Sequence, residues 1–148
     1  QLDQAAAGFD RTLKYNLSFR PIIADTEEAA WRKAKDILAG VEAESGGRKS
    51  TKAPEAETAR RLSSLIDGGA VQDERLWVPI AAAAQGSGNS TALVGTPEQV
   101  AEAIAKYYDM GVSGVLIRGF DPFEDAKTYG EELIPWIREK VKQRDAAS

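Results

Sequence analysis

The stretch LVGTPEQV, residues 93–100, closes a short apolar run with a glycine and follows it with a Thr-Pro pair. Such a turn serves either as a phosphate cradle or as an ordinary capped helix entry. A second passage decides between them. VLIRGFDPFEDA, residues 115–126, has the same layout: an apolar run, a glycine, then Asp-Pro before an acidic first turn. In the first passage Thr96 caps, Pro97 takes the first helical position and Gln99 completes a capping box. In the second, Asp121, Pro122 and Glu124 take the same places. The two passages are therefore instances of one unit: strand, short loop, capped helix. Gly95 and Thr96 remain a candidate anion site, because free amides and the helix dipole favour negative charge. The capping pair, however, already occupies the donors that a phosphate would use.

Working outward, an earlier passage has the same order. LKYNLSFRPIIA (13–24) carries Leu17, Phe19, Ile22 and Ile23 in a β-favouring run. DTEEAAWRKAKDILAGV follows, with Asp25 or Thr26 as cap, Glu27 and Glu28 in the first turn, and Trp31, Ala34, Leu38 and Val41 at helical spacing. The βα units thus span 13–42, 91–111 and 112–142. In the second, Val100, Ile104 and Tyr107 share a face and Gly111 suits the left-handed residue past the helix end. In the third, Pro135 should bend or interrupt the helix, since it removes an amide donor. Residues 43–90 are polar, glycine-containing and aperiodic around ESGGRKSTKAPEAE, and read as a mobile insertion or lid. Within them, 57–69 is predicted as a short helix, 75–84 as a helical or irregular apolar piece, and none of it as strand.

Consecutive strands joined by crossover helices lie parallel, and parallel sheets need both faces covered. Three units neither close a barrel nor shield a sheet. The predicted class is therefore α/β, the C-terminal portion (about three βα units) of a (βα)8 barrel with a long insertion, its units side by side and its walls incompletely shielded. An open doubly wound sheet would need two or three further strands, for which the central segment offers no candidate.

Composition excludes several function classes. The 148 residues contain no cysteine and no histidine, so the usual zinc and non-haem iron ligand sets are missing and no metal site is predicted. A net charge of −4 with both signs interspersed gives no attraction toward nucleic acid or anionic lipid. No apolar run approaches a membrane span and the first residues do not read as a signal peptide, so the expectation is a cytoplasmic protein.

Residues 88–141, GNSTALVGTPEQVAEAIAKYYDMGVSGVLIRGFDPFEDAKTYGEELIPWIREKV, resemble the C-terminal end of bacterial luciferase-like flavin monooxygenases, especially the alkanesulfonate monooxygenase branch. LSFRPIIADTEEAAW resembles the sixth strand and helix of the same family. The resemblance implies reduced FMN delivered by a separate flavin reductase, dioxygen as co-substrate, a small organic substrate and a dry pocket with cations for an anionic head group. It also implies that the main flavin phosphate contacts come from a turn ahead of the first strand here.

Carried over residue by residue, an arginine and a histidine two apart in the sulfonate branch fall on Ser18 and Arg20, which alternation points to one face. Arg20 keeps a cation but does not titrate near neutrality, so a proton-transfer role there is not supported. Gln85 or its neighbours, with Asn89, stand where the branch has a flexible-loop arginine. Phe120 stands at an active-site tyrosine position, without the hydroxyl. Arg118 is placed to replace a lost cation, or else to form a rim salt bridge with Asp121 or Glu124. Tyr107, Tyr108, Trp31 and Trp136 read as core or interface residues. Other readings stay open: a non-catalytic α/β binding or assembly module with sheet edges paired to a second copy, or part of a deazaflavin-dependent reductase. In the monooxygenase reading the partner is a missing N-terminal portion or a homo-oligomer, and the isolated chain is inactive.

Overall fold

The computed structural model describes residues 2–44, 69–83 and 91–147. The elements are α1 (Leu2–Ala7), β1 (Tyr15–Ile23), α2 (Glu27–Glu44), β2 (Val71–Gln72), β3 (Leu76–Trp77), α3 (Pro79–Ala83), β4 (Ala92–Gly95), α4 (Pro97–Asp109), β5 (Val112–Ile117), α5 (Pro122–Thr128) and α6 (Ile134–Ala147). A π-helical turn, Tyr129–Leu133, joins α5 to α6. The architecture is mixed α/β with a five-stranded sheet, consistent with part of a (βα)8 barrel.

Three long strands are parallel: β1 pairs with β4 on one side and with β5 on the other. The capped entries form where the sequence placed them. Thr96 accepts from the Gln99 amide at 3.3 Å, while Gln99 Oε1 accepts from the Thr96 amide at 2.9 Å. Thr26 Oγ1 accepts from the Ala29 amide at 3.2 Å at the start of α2. Gly111, with φ of 95°, ends α4 in the left-handed conformation that glycine adopts without steric cost. Pro135 interrupts the last helix as expected: α6 begins one residue earlier, after the π turn, whose Tyr129 and Leu133 are both buried.

Two expectations about the sheet are corrected. The central segment does supply strands, since β2 and β3 form an antiparallel hairpin and β3 pairs antiparallel with β4 through Leu76–Leu93 and Trp77–Ala92. The signal was hidden because each strand is two residues long, too short for alternation to register. The parallel units are also not side by side. The order is β2-β3-β4-β1-β5, so β1 sits between its two successors, whereas a closed barrel keeps consecutive strands as neighbours.

This order has a physical consequence. The crossover from β1 to β4 and the one from β4 to β5 run in opposite directions along the sheet, and crossovers of one hand then lie on opposite faces. On one face Ile22, Ala92 and Val94 pack with Ala30 and Ala34 of α2, and with Trp77 and Ile80. On the other, Phe19, Ile23 and Leu93 pack with Val100, Ala101 and Ile104 of α4, and with Tyr129 and Leu133. Around β4 and the C-terminal half of β1 the chain thus covers both faces with its own helices. The predicted lack of shielding survives at β5, where Leu116 is 56% exposed.

The hairpin is also tied down on its outer side. Tyr107 of α4 stacks at a tilt on Phe19 and its hydroxyl donates to Asp73 at 2.9 Å; Lys106 pairs with Glu74. Burial, then the Asp73 carboxylate, pushes the Tyr107 hydroxyl well above the usual phenol range.

Candidate functional site

The C-terminal ends of β1, β4 and β5 form one edge of the sheet. Chemistry in barrels gathers at that edge, and in open α/β sheets ligands bind there where strand order reverses. Here the order turns at β1, whose outgoing helix α2 lies on the face opposite to the one covered by α4, Tyr129 and Leu133.

Proline opens this place. The Arg20 amide donates to Thr91 O at 2.9 Å toward β4, and Phe19 O accepts from the Arg118 amide at 3.0 Å toward β5. Alternation then turns Pro21 toward β5, where it has no amide to give and where β5 ends at Ile117. The Pro21 carbonyl is taken instead by the buried Tyr129 hydroxyl at 2.5 Å. Burial, followed by the nearby Asp125 carboxylate, raises the Tyr129 hydroxyl well above the usual phenol range, so it stays a donor.

Side chains around this opening come from β1 and from the loop after β5. Arg20 is half-buried; Nη1 donates to Gly119 O, and its guanidinium carbon lies 5.3 Å from the centre of the Phe120 ring, a cation–π contact. Arg118, one residue beyond β5, is exposed. No ion pair of Arg118 with Asp121 or Glu124 occurs among the described residues. The β1–β5 register pairs Ser18 with Leu116 and Phe19 with Ile117, so Arg20 and Arg118 come next, on the face that carries Ser18 and Leu116. Two like charges side by side on neighbouring strands repel unless an anion lies between them.

A carboxylate that the sequence reading left unassigned shapes the loop. Asp125 is 7% exposed, and its Oδ2 accepts from the Phe120 amide at 2.7 Å and from the Asp121 amide at 3.0 Å. Its Oδ1 lies 3.5 Å from Lys33 Nζ of α2. Asp121 caps α5 as expected, accepting from the Phe123 and Glu124 amides at 3.1 Å each. The reciprocal contact is corrected: Asp125, not Glu124, takes the Asp121 amide. An acid in a first turn is so common for dipole reasons that the spacing gave no sign of this second task.

At the end of β4 the geometry disfavours an anion. The Thr96 amide is occupied by Gln99, whose Nε2 donates to Glu27 Oε2 at 2.9 Å. Arg75 Nη1 bridges Glu27 Oε1 and Val94 O at 3.0 Å each, and Trp31 Nε1 reaches Glu27 at 3.4 Å. The Arg75 hydrogen bond, then the Gln99 one, holds the Glu27 carboxyl below the usual range. A carboxylate beside the Gly95–Thr96 turn leaves no cradle for a phosphate. Arg75 and Glu27 were not singled out from sequence, because their meeting depends on the hairpin.

Of the sequence candidates, Arg20 and Phe120 meet at the β1–β5 opening, and Arg118 joins it through its amide, bonded to Phe19 O. Ser18 lies one alternation further in on the same face, and Gly95 and Thr96 belong to the capping network. Gln85 and Asn89 lie outside the described residues. No helix among the described residues is long and apolar enough to cross a membrane.

A crystal structure of a riboflavin lyase with modified FMN and riboflavin matches over 94% of this chain, with a TM-score of 0.58 and 20% identity. That likeness is one of fold. The chain spans 34% of the length of that protein. A family model described as luciferase-like monooxygenase matches residues 1–114, through β1, β4 and the start of β5. With most of its length under that match, the chain belongs to the luciferase-like monooxygenase family.

Proposed function

We propose that this chain is the C-terminal portion of a reduced-flavin-dependent monooxygenase acting on a small anionic organic substrate such as an alkanesulfonate. The observation that carries the reading is Arg20 set over the Phe120 ring at the C-terminal edge, with exposed Arg118 one residue past β5, where the β1–β5 register continued by one step places it beside Arg20. In this reading the guanidinium groups hold the anionic head, and Phe120 and Leu116 exclude water from the part that reacts.

Reduced FMN with dioxygen supplies the oxidising chemistry, and a separate flavin reductase delivers it. The Gly95–Thr96 turn does not fit the FMN phosphate, because Gln99 and Glu27 fill it. The family resemblance assigns the phosphate contacts to a turn ahead of β1. Ser18 completes the pocket wall in this assignment.

The expected outcome is that the 148-residue chain alone releases no sulfite from alkanesulfonates with photoreduced FMN and dioxygen. A longer protein containing the chain turns over, and Arg20→Ala in it raises KM about tenfold or more, the loss of one charge-assisted contact. Turnover by the isolated chain, or an unchanged KM in the variant, would refute the assignment.

A further inference from the structure

The Arg20 guanidinium meets the loop after β5 at two points: Nη1 donates to the Gly119 carbonyl, and the guanidinium carbon stands 5.3 Å from the centre of the Phe120 ring. An arginine side chain is long and rich in rotamers, so the direction of its head depends on what the head touches. Placing Arg20 therefore requires residues 119 and 120 to be placed first.

The loop has few anchors of its own. β5 ends at Ile117, the Arg118 amide makes one more contact with Phe19 O, and Gly119 has no side chain to pack. Two carboxylates meet the amides that follow. Asp121 accepts from the Phe123 and Glu124 amides at 3.1 Å each, and Pro122 has no amide. Asp125 Oδ2 accepts from the other two, Phe120 at 2.7 Å and Asp121 at 3.0 Å. Losing that oxygen would strand two amides next to the carbonyl and the ring that Arg20 uses.

The surroundings of Asp125 are built for this contact. A β-carbon on Gly119 would come within 2.4 Å of Asp125 Cβ, so the bare glycine is what lets the acid reach the loop. Asp125 is 7% exposed, and its second oxygen lies 3.5 Å from Lys33 Nζ of α2. Glu124, beside it in the same acidic turn, is exposed. A buried carboxylate with a partner on each oxygen is placed by the fold, whereas an acid that serves only the helix dipole can stay in solvent.

We propose that Asp125 is the positioning residue for Arg20: by holding residues 119–121 it sets the direction in which the guanidinium faces the anionic head, while Lys33 steadies the carboxylate from α2. The inference rests on the reading of Arg20 as the head-group cation. Every contact in it is made within this chain, so it does not depend on what covers the rest of the sheet.

The test combines kinetics and NMR on Asp125→Asn, Arg20→Ala and the double variant. Asp125→Asn keeps the size of the side chain but turns an amino group toward either Lys33 or the loop amides. In the longer protein that contains this chain, with octanesulfonate as substrate, it should raise KM about fivefold and change kcat less than about twofold. Once Arg20 is alanine it should add nothing, whereas a residue that only stabilises the fold would raise KM equally in both backgrounds. In the labelled 148-residue chain, Asp125→Asn should shift the Arg20 Nε–Hε resonance and remove the NOE between the Arg20 side chain and the Phe120 ring, with unchanged circular dichroism. The unaltered chain should show couplings through the hydrogen bonds from the Phe120 and Asp121 amides to the Asp125 carboxyl carbon, a measurement that needs no variant. If the longer protein does not turn over, or Arg20→Ala leaves KM unaltered, the functional reading fails and the NMR results alone decide the placement of Arg20. Absent couplings, an Arg20–Phe120 NOE that survives in Asp125→Asn, or equal KM effects in the two backgrounds would overturn the inference.

Discussion

Leu93→Ala is expected to destabilise the fold by about 2–5 kcal/mol, the usual cost of truncating a fully enclosed leucine. Leu93 has no exposed surface. It is hemmed in by the strands on both sides, paired with Leu76 of β3 and Pro21 of β1, and packs in the cluster with Val100 and Ile104 of α4. Strands on two sides and a helix above leave little room for the site to collapse around a smaller side chain, which places the cost toward the upper end. Domains of this size are stable by about 5–15 kcal/mol, so the variant should sit near the threshold of folding. Urea unfolding should show a lower midpoint with an unchanged slope, since the exposed area on unfolding is the same. A loss below about 1 kcal/mol would mean that β4 is not enclosed in this way.

Gly119→Ala should cost about 1–3 kcal/mol, and its effect should centre on the candidate site. A β-carbon on Gly119 would lie 2.4 Å from Asp125 Cβ, 2.7 Å from Asp125 Oδ2 and 2.8 Å from Asp121 O. The carboxylate being pushed is the one that holds the Phe120 and Asp121 amides, so relief of the clash breaks those contacts. The Gly119 carbonyl that receives Arg20 moves with it. Gly130→Ala is the control, because a β-carbon there meets nothing within 4 Å; it should be neutral or slightly stabilising. Equal responses to urea in the two variants would show that the loop after β5 is not packed as described.

The helix entries were legible in the sequence because capping is local. Thr96–Gln99 lies within one turn, and its geometry follows from residue type and spacing alone. The same holds for Gly111 and Pro135, whose backbone restrictions act at their own positions. Strand order was not legible. Whether β4 or β1 takes the middle place depends on which arrangement covers both sheet faces, and that depends on Trp77, Val78 and Ile80. All three are almost fully buried, yet they fall in a stretch without a readable period. Once the hairpin covers one side of β4, α2 and α4 can take opposite faces, and β5 adds beside β1.

For the candidate site, the family resemblance pointed to Arg20 and Phe120, and Arg118 stood out by its place just past a recognisable strand. Sequence reading gave no sign of Asp125, Lys33 or Tyr129. Asp125 and Tyr129 bond backbone groups of the loop after β5 and of β1, and Lys33 pairs with the Asp125 carboxylate, relations set by packing alone.

The strand order underlies the β1–β5 opening. It is tested most directly by long-range amide and side-chain NOE contacts in the isotopically labelled 148-residue chain. Contacts between Ser18 and Leu116 and between Phe19 and Ile117, with none between β4 and β5, are the expected result. Contacts from Leu93 and Val94 to Val115 and Leu116, placing β4 between β1 and β5, would contradict it.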